Sequence, residues 1–313
     1  MSSAPFAHVA IIGLGLQGGS IGLAIAAALP GVRTTGYDLS PANRQRAAER
    51  ALVGAVYDTA AQAVAGADLV IFCVPPGAMQ AAAQDAAPGL GAGAVISDVG
   101  SSKVAVAQAL AAALPAHAAA GLIIPAHPVA GTENSGPDAG FATLFRNRWC
   151  IITPPEGADD AATARLQALW EAFGARVEIM GAAHHDRVLA VTSHLPHLIA
   201  YTIVGTASDL EEVTQSEVIK YSAGGFRDFT RIAASDPTMW RDVFLSNKKA
   251  VLEMLQRFTE DLTELQKAIR VGDGEKLFDH FTRTRAIRRG IIEMGQDDAR
   301  PDFGRGDHGA GAA

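Results

Sequence analysis

The sequence predicts an α/β protein in which an N-terminal doubly wound parallel sheet is followed by an all-α C-terminal domain. Three observations carry this reading. From Val9 to about Met180, short β-rich runs alternate with alanine-rich helical ones. Several of those runs are apolar at consecutive positions, the pattern of strands covered on both faces. After Gly181 the β signals stop, and helical patterns fill the chain as far as residue 295.

In chain order, the strand signals fall at 9–12, 34–37, 69–74, 94–98, 121–126, 150–153 and 176–179. The helical signals of the second half fall at 185–209, 216–221, 226–234, 237–271 and 274–294. Pro196 is expected to kink the first of these and free a carbonyl. Ser235-Asp236-Pro237 reads as a helix start with proline at the first helical position. The expected organisation is a dinucleotide-binding domain over 1–181, a helical substrate and dimerisation domain over 182–295, and a Gly-, Asp- and Ala-rich disordered tail over 296–313.

The glycine pattern specifies the first domain further. Val9-Ala10-Ile11-Ile12 runs into Gly13-Leu14-Gly15-Leu16-Gln17-Gly18, and a helix is expected over 20–29. Gly13 permits the tight turn, Gly15 close backbone approach to a pyrophosphate, and Gly18 close helix–strand packing. Leu16 and Gln17 complete the cradle, where free amides and the positive end of the helix dipole face a diphosphate. Such a motif is weak alone. Here it follows a strand, opens a helix, and has Asp38 placed 20 residues after Gly18 at the end of the next apolar run. A carboxylate there accepts ribose hydroxyls and repels a 2′-phosphate, so the expected fold is Rossmann-type and the expected cofactor is NAD.

Composition narrows the partners. With 26 Lys and Arg against 33 Asp and Glu, the net charge is −7 and no basic block exists, so neither nucleic acid nor an anionic membrane is expected. The apolar stretch 107–126 is interrupted by Gln108, Pro115, His117 and Pro125, which argues against a membrane span. No basic-then-apolar leader opens the chain. Cys73 and Cys150 read as buried apolar residues in a reducing cytoplasm rather than a disulfide or metal pair. Without an H-E-x-x-H or a cysteine pair, no metal is expected.

In an open parallel sheet, ligands lie beyond the carboxyl ends of the strands. Val74 and Pro75 end one strand and are expected on the adenosine side of the cofactor. The run 94–98 leads through Asp98, read as a turn acid, to Ser101, a ligand candidate or a helix cap. The run 121–126 leads to His127 between Pro125 and Pro128, expected in the cleft near the nicotinamide as a base. In the helical half, His184-His185-Asp186-Arg187 precedes Ser193-His194-Leu195-Pro196-His197, expected to give polar contacts to substrate or to the domain interface. Arg227 and Arg231 follow a diglycine hinge on one helix face, suited either to carboxylate recognition or to a salt-bridged surface.

The segments G-L-G-L-Q-G-G-S, D-V-G-S-S-K, H-P-V-A-G-T-E-N-S-G, H-D-R-V-L-A-V-T-S-H-L-P-H and G-G-F-R-D-F-T-R-I-A-A-S-D-P-T-M-W-R-D resemble the prephenate/arogenate dehydrogenases of tyrosine biosynthesis, from about Val9 to Met294. The resemblance implies NAD-dependent oxidative decarboxylation of prephenate to 4-hydroxyphenylpyruvate, or of arogenate to tyrosine, in a homodimer. It makes His127 the catalytic histidine and Arg231 the grip on the ring carboxylate. Ser101 and His197 become further substrate contacts, Glu133 an acid at the cleft mouth, and Trp240 a residue reaching the neighbouring subunit's site. Ser102 and Arg227 depart from commoner residues in the pattern. Two other readings stand beside this one: a β-hydroxyacid or 6-phosphogluconate-type dehydrogenase, which would use a helix-borne lysine base, and a non-catalytic NAD-binding sensor.

Overall fold

The structure is a computed structural model describing residues 4–132, 134–214 and 223–293. Its main sheet holds five parallel strands in the order β3-β2-β1-β4-β5: β1 (His8–Ile12), β2 (Arg33–Tyr37), β3 (Ala55–Val56), β4 (Leu69–Phe72) and β5 (Val95–Asp98). The consecutive apolar runs have the expected cause. Val9, Ile11, Leu69, Ile71 and Val95 point into one core, and Ala10, Ile12, Val70, Phe72 and Ile96 into a second on the opposite face. The period of two thus buries both faces. The strand order reverses at β1 and β4, so the crevice beyond their carboxyl ends is the place for a ligand.

The second group of strands departs from a single parallel sheet. β6 (Ala126–Pro128), β7 (Trp149–Ile152) and β8 (Arg176–Ile179) form a separate three-stranded sheet, with β6 antiparallel to β7 and β8 parallel to β7. The expected strand over 121–126 is divided by Pro125. Ile96 donates to the Leu122 carbonyl and accepts from the Ile124 amide, both at 2.8 Å, so residues 122–124 run along β5. Pro125 has no N–H with which to continue that ladder. The chain turns there, and the Pro125 carbonyl accepts instead from Thr153 of the second sheet. His127 stands two residues beyond this crossover, opposite Ile151.

Helix boundaries differ from the sequence reading where polar or proline chemistry intervenes. The first helix, α1 (Leu16–Ala28), starts inside the glycine motif rather than after it. Gly18 therefore lies within the helix, where a Cβ would stand 1.9 Å from the Gly13 carbonyl oxygen. The run expected over 185–209 begins as α2 (Ala182–Leu189), passes through a π turn (Ala190–His194), and continues as α3 (Leu195–Thr214). The extra residue of that turn immediately precedes Leu195-Pro196 and accommodates the missing proline N–H. Gly224 and Gly225 open α4 (Gly224–Thr230), and Arg231 starts a 3₁₀ turn (Arg231–Ala234). Arg227 and Arg231 are thereby divided between two elements. The helix expected over 237–271 is interrupted at Asn247 between α5 (Pro237–Ser246) and α6 (Lys248–Val271). Asp236 caps α5 through the Met239 amide at 2.9 Å.

The chain forms two compact units, Met1–Met254 and Leu255–Ala313. The second contains the end of α6 and α7 (Gly274–Glu293), joined by a Lys276–Glu264 ion pair at 2.8 Å. It exposes Leu262, Ile269, Phe278, Phe281 and Ile287. By length and composition Ala182–Asp209 is apolar enough to cross a membrane. In this fold its His185, Asp186 and His194 are buried and hydrogen-bonded within the first unit. The segment expected as a helix over 216–221, the tail over 296–313 and Glu133 lie outside the described residues.

Candidate active site

The glycine turn sits at the strand-order switch. Gly13 has φ +98°, and a Cβ there would stand 2.4 Å from the Cys73 carbonyl oxygen and 3.1 Å from Cγ1 of Val74. The turn after β1 is thus pressed against the segment leaving β4, which leads through Val74 and Pro75 to a short 3₁₀ turn. Gly15 precedes α1 with no atom within 4 Å of where its Cβ would be. Leu16 and Gln17 form the first turn of α1, and the Gln17 amide donates to the Ala130 carbonyl beyond β6. Asp38, just beyond β2, accepts from the Leu14 amide at 2.9 Å, from the Ser40 amide at 2.9 Å and from Nδ2 of Asn43 at 3.1 Å. An open backbone and a helix N-terminus to donate, and a fixed carboxylate one strand away to accept, are what a dinucleotide needs, so these residues fit one.

A chain of imidazoles lies at the crossover. His127 is buried, and its Nδ1 is 2.9 Å from Nε2 of His185 on α2. Nδ1 of His185 is in turn 2.8 Å from the Asp186 carboxylate. Asp186 also accepts from the backbone amides of Lys103 (2.7 Å) and Val104 (3.0 Å), capping the helix that begins there. The cap that Ser101 could have supplied therefore comes from another element, and Ser101 remains half-buried in the preceding loop. Asn247, at the break between α5 and α6, donates to the Asp186 carbonyl at 2.7 Å and lies 3.2 Å from Nδ1 of His194. Polar demand of this kind explains the helix interruption.

Below the imidazoles, Lys103 and Asp98 form a fully buried ion pair at 2.5 Å. The Lys103 ammonium also donates to the Ala126 carbonyl, the residue before His127, at 2.7 Å. Burial pulls the lysine down and pushes the aspartate up, each opposed by the other's charge. Asp98 is therefore a structural acid, and the lysine ties β5 to β6.

The structure brings His197 and Trp240 together, with ring centroids 3.6 Å apart and planes 23° from parallel. Trp240 is buried within its own chain, also meeting Phe244 and the edge of His194. Nδ1 of His197 lies 2.8 Å from the Ser193 carbonyl; burial chiefly, with the Arg231 charge added, lowers the pKa of the ring against that bond. Arg227 and Arg231 are themselves exposed. The polar contacts expected of the runs 184–187 and 193–197 are made here by His185, Asp186 and His194. Lys103 and Asn247 carry no such expectation from the sequence, because their partners lie far along the chain.

Burial is the largest cause lowering the pKa of His127, His185, His194 and His197, and it takes His194 to about 4. The unfolded chain then binds protons first on acidification. The contribution of these histidines is level above about pH 6.5 and is lost as pH drops toward 4, with His194 alone accounting for roughly 3 kcal/mol at full protonation. Thermal melts from pH 7 to 4.5 should show a steeper loss of Tm in the wild type than in His194→Asn. Parallel slopes would mean that His194 is not held neutral.

Residues 21–179 match the nucleotide-binding domain of prephenate dehydrogenase and residues 181–283 its dimerization domain. The chain is 46% identical to the cyclohexadienyl dehydrogenase of Zymomonas mobilis over 90% of its own length and 95% of that protein's. It is 33% identical to the prephenate dehydrogenase of Bacillus subtilis, over 94% and 78% of the two chains. The prephenate dehydrogenase of A. aeolicus, solved with hydroxyphenyl propionate and NAD+, shares the fold with a TM-score of 0.84 at 30% identity, covering 93% of this chain and 99% of that one. With both domains matched in order and relatives aligned nearly end to end, the chain belongs to the prephenate dehydrogenase family.

Proposed function

We propose that the protein catalyses the NAD-dependent oxidative decarboxylation of prephenate to 4-hydroxyphenylpyruvate, of arogenate to tyrosine, or of both. The observation that carries this reading is the meeting of His127, from the crossover beyond the main sheet, with histidines of the helical half, beside a turn fitted for a dinucleotide. Bound NAD supplies the hydride acceptor. Both substrates are cyclohexadienols whose C4 carries the hydroxyl and the departing hydride. Loss of that hydride together with the C1 carboxylate yields an aromatic ring, so the step is strongly downhill. The protein has to orient C4 and take the hydroxyl proton as the carbonyl forms. A neutral buried imidazole at His127 serves that purpose. The β-hydroxyacid alternative, which needs a helix-borne lysine base, is not favoured by the match of both domains to prephenate dehydrogenase. Lys103, the lysine buried beside His127, is consumed by Asp98 and by the Ala126 carbonyl.

Gly13, Gly15, Leu16, Gln17, Gly18, Asp38, Val74 and Pro75 would hold the nucleotide, and Ser101, His197 and Trp240 would line the substrate side. Arg231 is assigned to binding the ring carboxylate. A firm ion pair there stabilises the group that must leave, so its contribution lies in orientation rather than in the chemical barrier. Its side chain is exposed, which limits the interaction to that of a charge-assisted hydrogen bond. Arg231→Ala should raise KM for prephenate by roughly 10- to 100-fold, equivalent to roughly 1.5–3 kcal/mol, with kcat within a few-fold. A variant that kept its KM and lost kcat would reassign the residue.

A homodimer is supported by the dimerization-domain match and by the exposed Leu262, Ile269, Phe278, Phe281 and Ile287. Unpaired Cys73 and Cys150 support a reducing, cytoplasmic setting. Steady-state NADH formation with prephenate and arogenate, each with NAD and NADP, tests the whole reading. Absence of NADH with both substrates would overturn it.

A further inference from the structure

We infer that His185 and Asp186 are positioning residues that fix the catalytic tautomer of His127. This rests on the proposed role of His127 as the base. The direction of every bond in the chain follows from its far end. Burial pushes the Asp186 carboxyl up, but hydrogen bonds from His185 and from the Lys103 and Val104 amides outweigh it and hold the group below its ordinary range. An ionised carboxylate only accepts, so Nδ1 of His185 carries a proton. His185 is kept neutral by burial, with its Asp186 bond opposing, and a neutral ring has no second N–H. Its Nε2 is therefore an acceptor, and the bond at 2.9 Å must be donated by Nδ1 of His127. That places the lone pair of His127 on Nε2, the nitrogen left for substrate.

The same chain serves the charged state. When His127 takes the C4 hydroxyl proton on Nε2, the imidazolium keeps its Nδ1–H bond to His185, whose own N–H points at the Asp186 carboxylate. Charge is balanced across two hydrogen bonds, and no proton has to reach the carboxylate. Burial first, then the charges of His185, Lys103 and His194, lower the pKa of His127. The His185 charge is absent while burial keeps that ring neutral, which leaves its Nε2 as an acceptor. Asp98 is engaged by Lys103 and by the Gly100 amide, and Cys150 on β7 is held protonated by burial. Among the described residues, Asp186 is thus the carboxylate that reaches the base, through one intermediary ring.

Asp186 also caps the helix at Lys103 and Val104, so its replacement mixes two effects. His185 separates them. In the full-length enzyme, with the better of the two substrates and NAD, His185→Phe should lower kcat by about 10–100-fold with both KM values within about twofold. The acidic limb of kcat/KM should move to lower pH, since removing the acceptor destabilises the imidazolium of His127. His185→Gln can still accept through Oε1 and should recover part of the lost kcat, while its acidic limb stays displaced because the link to Asp186 is gone. If His185→Phe does not fold, the limb of His185→Gln decides. A limb that stays put or moves upward in the folded variants, or an unchanged kcat in His185→Phe, overturns the inference. An active His127→Asn would instead overturn the base assignment beneath it.

Discussion

Replacing His127 with asparagine is expected to lower kcat by about 10²–10⁴-fold while KM for substrate and for NAD changes little, the signature of a lost general base. Asparagine is the informative replacement. Its Nδ2 can still donate toward His185, so the buried pocket keeps a polar partner where an apolar residue would strand the His185 acceptor. It cannot accept a proton at neutral pH. The loss should therefore appear in single-turnover hydride transfer as well as in steady-state kcat, with Tm within a few degrees of wild type. Near-normal turnover would remove His127 from the chemistry. A collapsed Tm would show that the ring is needed first for packing.

Gly18→Ala should be severely damaging to the nucleotide half. The added methyl would meet the Gly13 carbonyl oxygen at 1.9 Å and the Ile11 side chain at 2.9 Å. Backbone on the receiving side cannot swing away as a side chain can, so α1 must shift off β1. We expect about 3 kcal/mol or more of lost stability, or no soluble protein, with nucleotide affinity lost alongside. Gly15→Ala is the matched control, because nothing lies within 4 Å of its added carbon. Its melting temperature should be unchanged, and its NAD affinity, read by fluorescence titration, should fall at least tenfold if the backbone there approaches a diphosphate. A Gly15→Ala enzyme that bound NAD normally would place the diphosphate elsewhere.

What could be read from sequence was whatever is encoded locally. Strands β1, β4 and β5 announced themselves because both faces are buried, which leaves no polar position to obscure the run. Asp38 and the glycine turn followed from spacing. The separate second sheet was not legible: residues 121–126 look like one strand, and only the pairing partners on either side of Pro125 divide them. The interruption at Asn247 was hidden likewise, because its cause lies in Asp186 and His194. His185 and Asp186 were visible as residue types, but their roles depend on a contact spanning 58 positions between His127 and His185. Local pattern carries no information at that range.

The crossover at Pro125 has a consequence for how this chain can vary in length. Side chains of a strand alternate between faces, so losing or gaining one residue between Ile124 and His127 would turn the imidazole to the opposite side of its sheet. A one-residue insertion or deletion is thus barred from this short stretch. Such a segment works as a ruler: the number of residues on either side of Pro125 sets where the reactive ring stands.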